Sequence, residues 1–280
     1  MSTASAPTQV ELPDGATIST RVHAPGGHGD RPTIIWGHGL SSSMASEDGL
    51  ALVDWSVAAP DHRVVRYDAR GHGHSESTEQ PEAYRWDRLA ADQLAVADAL
   101  DVDRYIAAGA SMGCATALLA ALAAPDRVTA LVLVIPPTAW ETRREQVGMY
   151  EQMAGLLDAD RVGVLVAGVD MSPTPDPFTD DDDVWKERAR TTLRTTDRRR
   201  LARVFRGAAT ADLPPPQQLT AIELPTLVLA WSGDPGHPVS TAERLHELLP
   251  QSTLHIASTA GDLAGWSDLV ARFLDADRGE

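Results

Sequence analysis

Ser111 stands between Gly109 and Gly113, after the apolar run Tyr105-Ile106-Ala107-Ala108 and before the helix-forming run from Ala115 to Leu122. Strand, G-x-S-x-G, helix is the arrangement that lifts a serine hydroxyl into a cleft on a sharp turn, a nucleophile elbow. Small residues two before and two after the serine let the backbone pass closely. The amide of Met112 and the start of the following helix then favour an oxyanion developing beside the hydroxyl. A serine hydroxyl is a poor nucleophile without a neighbouring base. The chemistry therefore turns on which of the nine histidines reaches it. Cys114, three residues on, is read as a small buried core residue rather than a reactive thiol.

The elements that must position Ser111 follow from periodicity. Residues 8–23 alternate around Pro13-Asp14-Gly15 and predict a hairpin. Residues 25–30 form a glycine-rich loop, and a helix is expected over about 48–57. Buried strands are predicted at 32–36, 63–68, 105–108, 128–135, 225–231 and 253–257. Helices are predicted over 85–100, over about 239–249 and from about 262 to 274. Alternating strands and helices argue for a mostly parallel sheet covered on both faces. From 138 to 222 the rhythm breaks into helical patterns divided by the Pro/Asp-rich stretch 171–183. That interruption reads as a helical lid over the carboxyl ends of the strands, where open α/β sheets bind ligands.

Composition excludes several classes. Forty acidic residues against 24 basic ones give a net charge of −16 over 280 residues. This argues against nucleic acid and anionic membranes as partners and leaves a small-molecule substrate. The Arg-rich run from Lys186 to Arg206 reads as a solvated helix face opposite Asp180–Asp183. One cysteine allows neither an internal disulfide nor a Cys-rich zinc site. No signal-peptide pattern and no membrane-spanning run is present, so a cytoplasmic location is expected. The oligomeric state is open at this level.

With these motifs in order, the chain resembles the α/β-hydrolase fold superfamily, serine-hydrolase-like and with a helical cap inserted after the sixth strand. Gly37-His38-Gly39-Leu40 resembles the family's oxyanion loop. The segment Asp68-Ala69-Arg70-Gly71-His72-Gly73-His74-Ser75 resembles its D-x-R-G-x-G-x-S stretch. Ser111 matches the nucleophile, and Asp234 in Gly233-Asp234-Pro235-Gly236-His237-Pro238 matches the acid that orients an imidazolium. The resemblance implies a core of residues 1–137 and 223–280 and a cap of 138–222. It implies an oxyanion hole from the amides of Leu40 and Met112, and no metal or organic cofactor.

The family's usual histidine, in the loop after the last strand, is missing. Asp262 stands there, and no histidine follows His255. The triad is therefore expected to be incomplete or relocated. His237, three residues past Asp234, is the candidate for the relocated base, with an exposed turn histidine as the alternative. His38 is expected near the elbow, His72 behind the cleft, His74 at the surface and His255 in mid-strand. His38, Trp140, Met149 and Met153 are the candidates for lining a substrate pocket. The last three, placed on the first lid helix, would equally serve to pack the lid on the core. The expected activity is hydrolysis of a small carboxylic ester, lactone or related acyl compound through Ser111. The alternatives are a lyase, cyclase or isomerase using the same pocket, or an inactive ligand-binding protein.

Overall fold

In the computed structural model of the chain, which describes residues 6–24, 31–50 and 52–276, eight strands form one sheet. They are β1 (Thr8–Glu11), β2 (Thr17–His23), β3 (Thr33–Gly37), β4 (Val64–Tyr67), β5 (Tyr105–Ala110), β6 (Val128–Val134), β7 (Thr226–Trp231) and β8 (Ser252–Ala257). Their order is β1-β2-β4-β3-β5-β6-β7-β8. The first two strands form the expected hairpin and join β4 antiparallel; from β4 onward every pairing is parallel. The helices are α1 (Met44–Asp48), α2 (Trp55–Ala58), α3 (Trp86–Ala99), α4 (Met112–Ala123), α5 (Arg143–Asp158), α6 (Val162–Val169), α7 (Asp182–Thr195), α8 (Arg198–Ala209), α9 (Pro216–Leu219), α10 (Val239–Leu248), α11 (Ala260–Ala264) and α12 (Trp266–Ala276).

The central strands are buried on both faces, and successive residues alternate between two cores. Ile35, Val65, Ala107, Leu131, Leu133 and Val228 join one cluster with residues of α3, α4 and α10. Ile34, Val64, Ile106, Val132, Leu227 and Leu229 join the other with Val270 and Leu274 of α12. Each such Leu or Ile, when truncated to Ala, costs about 2–5 kcal/mol. The sheet is therefore a rigid base for the loops at its carboxyl ends.

Two expected helices differ. The helix expected over 48–57 does not form: α1 ends at Asp48 and α2 starts at Trp55, each begun by its own cap, with Ser43 accepting from the Ser46 amide and Asp54 from the Ser56 amide. The one over 262–274 breaks into α11 and α12 at Gly265. The loop expected at 25–30 lies outside the described residues.

Between β6 and β7 the described residues are helical and irregular. A third cluster, of Ala154, Leu157, Leu193, Leu201, Ala202 and Phe205, packs α5, α7 and α8 together. Independent packing is narrower than the expected 138–222: Ala139, Ala211, Leu213, Leu219 and Ile222 belong to the sheet's own core. Two arginines fasten this layer to the sheet. Arg200 of α8 donates to the carbonyls of Gly71, His72 and Gly73 at 2.7, 2.9 and 3.0 Å, and also to that of Ser75. Arg143 lies over the Trp86 ring at 4.2 Å and donates to the Ala208 and Ala211 carbonyls. Among the described residues, no helix is long and apolar enough to cross a membrane.

Candidate active site

Ser111 is the single residue between β5 and α4, with φ 52° and ψ −110°. A non-glycine residue there is strained by about 1–3 kcal/mol and persists only where its surroundings over-determine it. They do so here. The Ser111 amide donates to the Val134 carbonyl at 2.9 Å, and its carbonyl accepts from the Cys114 amide at 2.9 Å. A Cβ on Gly113 would collide with the Gly37 carbonyl, so only glycine lets α4 approach β3. Cys114 is buried, its thiol bonded to the Gly109 and Val134 carbonyls, and burial pushes its pKa far up. It packs, as expected, and is no nucleophile.

His237 meets this serine. Its Nε2 lies 2.8 Å from Ser111 Oγ, and its Nδ1 lies 2.7 Å from Asp234 Oδ2. The network assigns the proton to Nδ1, donated to the carboxylate, so that Nε2 accepts from the hydroxyl. Asp234 Oδ1 accepts from the Gly236 amide at 2.8 Å, and Oδ2 also accepts from the Trp231 indole at 3.0 Å. Burial raises the Asp234 pKa, but the hydrogen bond and charge of His237, the Gly236 amide and the Trp231 indole outweigh it and bring it down to about 2. The loop is pinned from outside by the Thr138 amide, which donates to the Gly236 carbonyl at 3.1 Å.

The loop after β8 has a different use. Asp262 is the third residue of α11, and its carboxylate accepts from the Thr259 amide and hydroxyl while Thr259 Oγ1 accepts from the Asp262 amide. It is exposed and makes a capping box.

The Gly37–Leu40 loop covers the serine: a Cβ on Gly39 would lie 3.5 Å from Ser111 Cβ. The Leu40 amide has no hydrogen-bond partner among the described residues. Met112 is the first residue of α4, where an amide has no intrahelical acceptor. The Leu40 side chain packs against the sheet core and the cluster between α5 and α8 at once.

His38 and His72 are held by backbone groups. His38 is only 1% exposed, with Nδ1 on the Gly39 carbonyl at 2.7 Å and Nε2 accepting from the Ala69 amide at 2.9 Å. This corrects its expected role in substrate binding: both nitrogens are engaged by backbone. His72 accepts from the Ser41 amide at 3.3 Å; burial, then the neighbouring His38, lower its pKa to about 3. His74 and His255 are exposed.

Of the pocket candidates, Trp140 is in the turn before α5 rather than on that helix. It has φ 51° and its indole donates to the Pro214 carbonyl at 3.0 Å. Met149 is 44% exposed, and Met153 packs on the α5–α8 cluster. The arginine run is paired chiefly with carboxylates other than 180–183: Arg198 with Asp160, Arg206 with Asp158, and Arg190 with Asp170. A cavity of about 550 Å³ lies among Asp158, Asp160, Arg198, Arg199, Arg203 and Arg206, away from Ser111. Among the described residues, no group of three or more His, Cys, Asp or Glu side chains could hold a metal ion.

Sequence reasoning missed Trp231 as a partner of Asp234, and the aromatic pair Phe178 and Trp185 packed against it. A signal existed for the first. A tryptophan at the end of a buried strand needs a partner for its indole N–H, and an acid follows three residues later.

The model of the α/β hydrolase fold family matches residues 32–269. The chain belongs to that family. Most of the relatives it matches are hydrolases, and a putative carboxylate synthase of Bacillus subtilis and a karrikin receptor of Petunia hybrida are also among them. It is 27% identical over 239 residues to 3-oxoadipate enol-lactonase 1 of Acinetobacter baylyi, covering 83% of this chain and 82% of that one. It is 30% identical over 207 residues to N-formylmaleamate deformylase of Pseudomonas putida, covering 74% of each. A hydrolase from Pseudomonas aeruginosa superposes with a TM-score of 0.80 at 27% identity, over 97% of this chain and 99% of that one.

Proposed function

We propose that this α/β-hydrolase-fold protein hydrolyses a small carboxylic ester or lactone through Ser111, with His237 as the base and Asp234 as its orienting acid. The observation that carries the reading is the unbroken line Ser111 Oγ–His237 Nε2 at 2.8 Å and His237 Nδ1–Asp234 Oδ2 at 2.7 Å. Kinship with an enol-lactonase supports the substrate class.

The reaction runs in two halves. His237 Nε2 takes the Ser111 proton as Oγ bonds to the carbonyl carbon. The carbonyl oxygen becomes an oxyanion facing the Leu40 and Met112 amides, each such donor being worth about 10²–10³ in rate. Collapse breaks the bond to the leaving alkoxide, which takes its proton from the imidazolium. Water then attacks the acyl-serine with His237 again as base, and Ser111 leaves reprotonated. Asp234 stays ionised throughout and stabilises the imidazolium.

The test is labelling with a fluorophosphonate, which reports an activated serine, on the parent, Ser111→Ala and His237→Ala. Fast labelling of the parent, lost in both variants, is expected. An unlabelled parent overturns the reading and turns attention to non-hydrolytic chemistry or ligand binding. Labelling that survives in His237→Ala overturns the assignment of the base.

A further inference from the structure

We infer that Trp231 is a positioning residue for the Ser111–His237–Asp234 line, holding the Asp234 carboxylate in the one rotation that serves His237; this rests on the proposed hydrolytic reading. Trp231 is the last residue of β7 and 1% exposed. Its indole N–H donates to Asp234 Oδ2, the same oxygen that accepts from His237 Nδ1, while Oδ1 is taken by the Gly236 amide. The acid and the base lie three residues apart on one loop, with only Pro235 and Gly236 between them. Neither is borne on a strand or a long helix of its own, so rotation of the short Asp234 side chain would carry Oδ2 away from Nδ1. An indole fixed by packing blocks that rotation. Because it is a donor only, it does so without competing for the proton that moves.

The ring is fixed from both sides. Phe178 and Trp185, from the segment between β6 and β7, meet it edge-on with centroids at 5.4 and 5.6 Å. Trp266 of α12 lies nearly parallel to it at 6.1 Å. The His237 ring stands perpendicular to it at 6.0 Å. Strand, cap and last helix thus converge on one indole, and the indole passes their rigidity to the carboxylate.

The experiment is Trp231→Phe, which keeps an aromatic ring and removes the N–H. With an activated ester, kcat is expected to fall about 10-fold, the size of a lost hydrogen bond to a charged group, with KM changed less than about twofold. The acid limb of kcat/KM should move to higher pH. A carboxylate stripped of one donor is more basic and holds the imidazolium more strongly. The ionisable groups around His237 are Asp234 on its own loop and Ser111 from the β5–α4 turn. Asp176, from the cap segment, packs against Gly233 on that loop. All three are unaltered in the variant. In an Asp234→Asn background, Trp231→Phe should cost nothing further.

Trp266→Phe disturbs the same aromatic cluster without touching Asp234; it should lower the melting temperature and leave the acid limb in place. A readout independent of any Trp231 variant is the indole N–H resonance of Trp231, which should shift upfield in Asp234→Asn while that of Trp266 stays. An unmoved resonance overturns the inference. So does parent-like kcat and pH profile in Trp231→Phe when Ser111→Ala and His237→Ala have lost turnover, and the hydrolytic reading then stands. Turnover that survives Ser111→Ala overturns both.

Discussion

The loops that follow β7 and β8 leave neighbouring parallel strands, and each carries an aspartate at its heart. Asp234 is largely buried, shared between an imidazole, an indole and a backbone amide. Asp262 is exposed and spends its carboxylate on the turn that starts α11. Both are more acidic than an ordinary aspartate. The Thr259 hydroxyl and the Ser258 and Thr259 amides acidify Asp262, against the small effect of burial. For Asp234 it is the His237 contact, the Gly236 amide and Trp231 that overcome a larger burial penalty. Acidification alone thus does not mark an active site. What differs is the partners: Asp262 is bonded to its own turn, whereas Asp234 is bonded to an imidazole that in turn reaches a strained serine.

The sharpest way to break this contrast is on the β7 side. Ser111→Ala and His237→Ala are each expected to lower kcat about 10⁶-fold, with the double variant no worse than either, since the two act as a unit. Initial rates on an activated ester measure this. Asp234→Asn should cost about 10⁴-fold by misorienting the imidazole. Adding Asp262→His to His237→Ala should recover nothing, because position 262 is fixed in the first turn of α11. A substantial recovery of turnover would mean that the β8 loop still reaches Ser111.

Smaller effects separate stability from turnover. Asp234 is more acidic folded than unfolded, so its contribution is whole above about pH 4 and is lost as pH falls toward 2. From a pKa of 3.8 brought to about 2, that contribution is about 2 kcal/mol. Denaturant unfolding between pH 5 and 2 should show Asp234→Asn lacking this part of the acid sensitivity. On the β8 side, Thr259→Ala removes a helix cap and should cost about 1 kcal/mol of stability while leaving kcat within about twofold.

The alternation of Ile34 with Ile35 and of Val64 with Val65 between opposite cores is written in the order of residues, because a strand turns each successive side chain to the other face. The turn at Ser111 was legible for a similar reason: only glycine tolerates the approach of Gly113 to Gly37, so the backbone geometry leaves a mark on residue type. His38 was misread because its partners, the Gly39 carbonyl and the Ala69 amide, are backbone groups that leave no such mark. Phe178 was hidden in a stretch whose prolines and aspartates read as a divider, and Trp185 lies just beyond it.

By itself, then, the sequence determined the sheet and the strained serine, since periodicity and glycine placement are local constraints; Asp234 was singled out by its resemblance to the family's acid. Which histidine meets Ser111 was decided only by tertiary structure. His237 and Ser111 lie 126 positions apart, and their 2.8 Å meeting depends on the parallel registers of β5, β6 and β7. It depends as well on the Thr138 bond that pins the loop and on a tryptophan held by three other aromatic rings. No short stretch of chain encodes a distance set by that many separate elements.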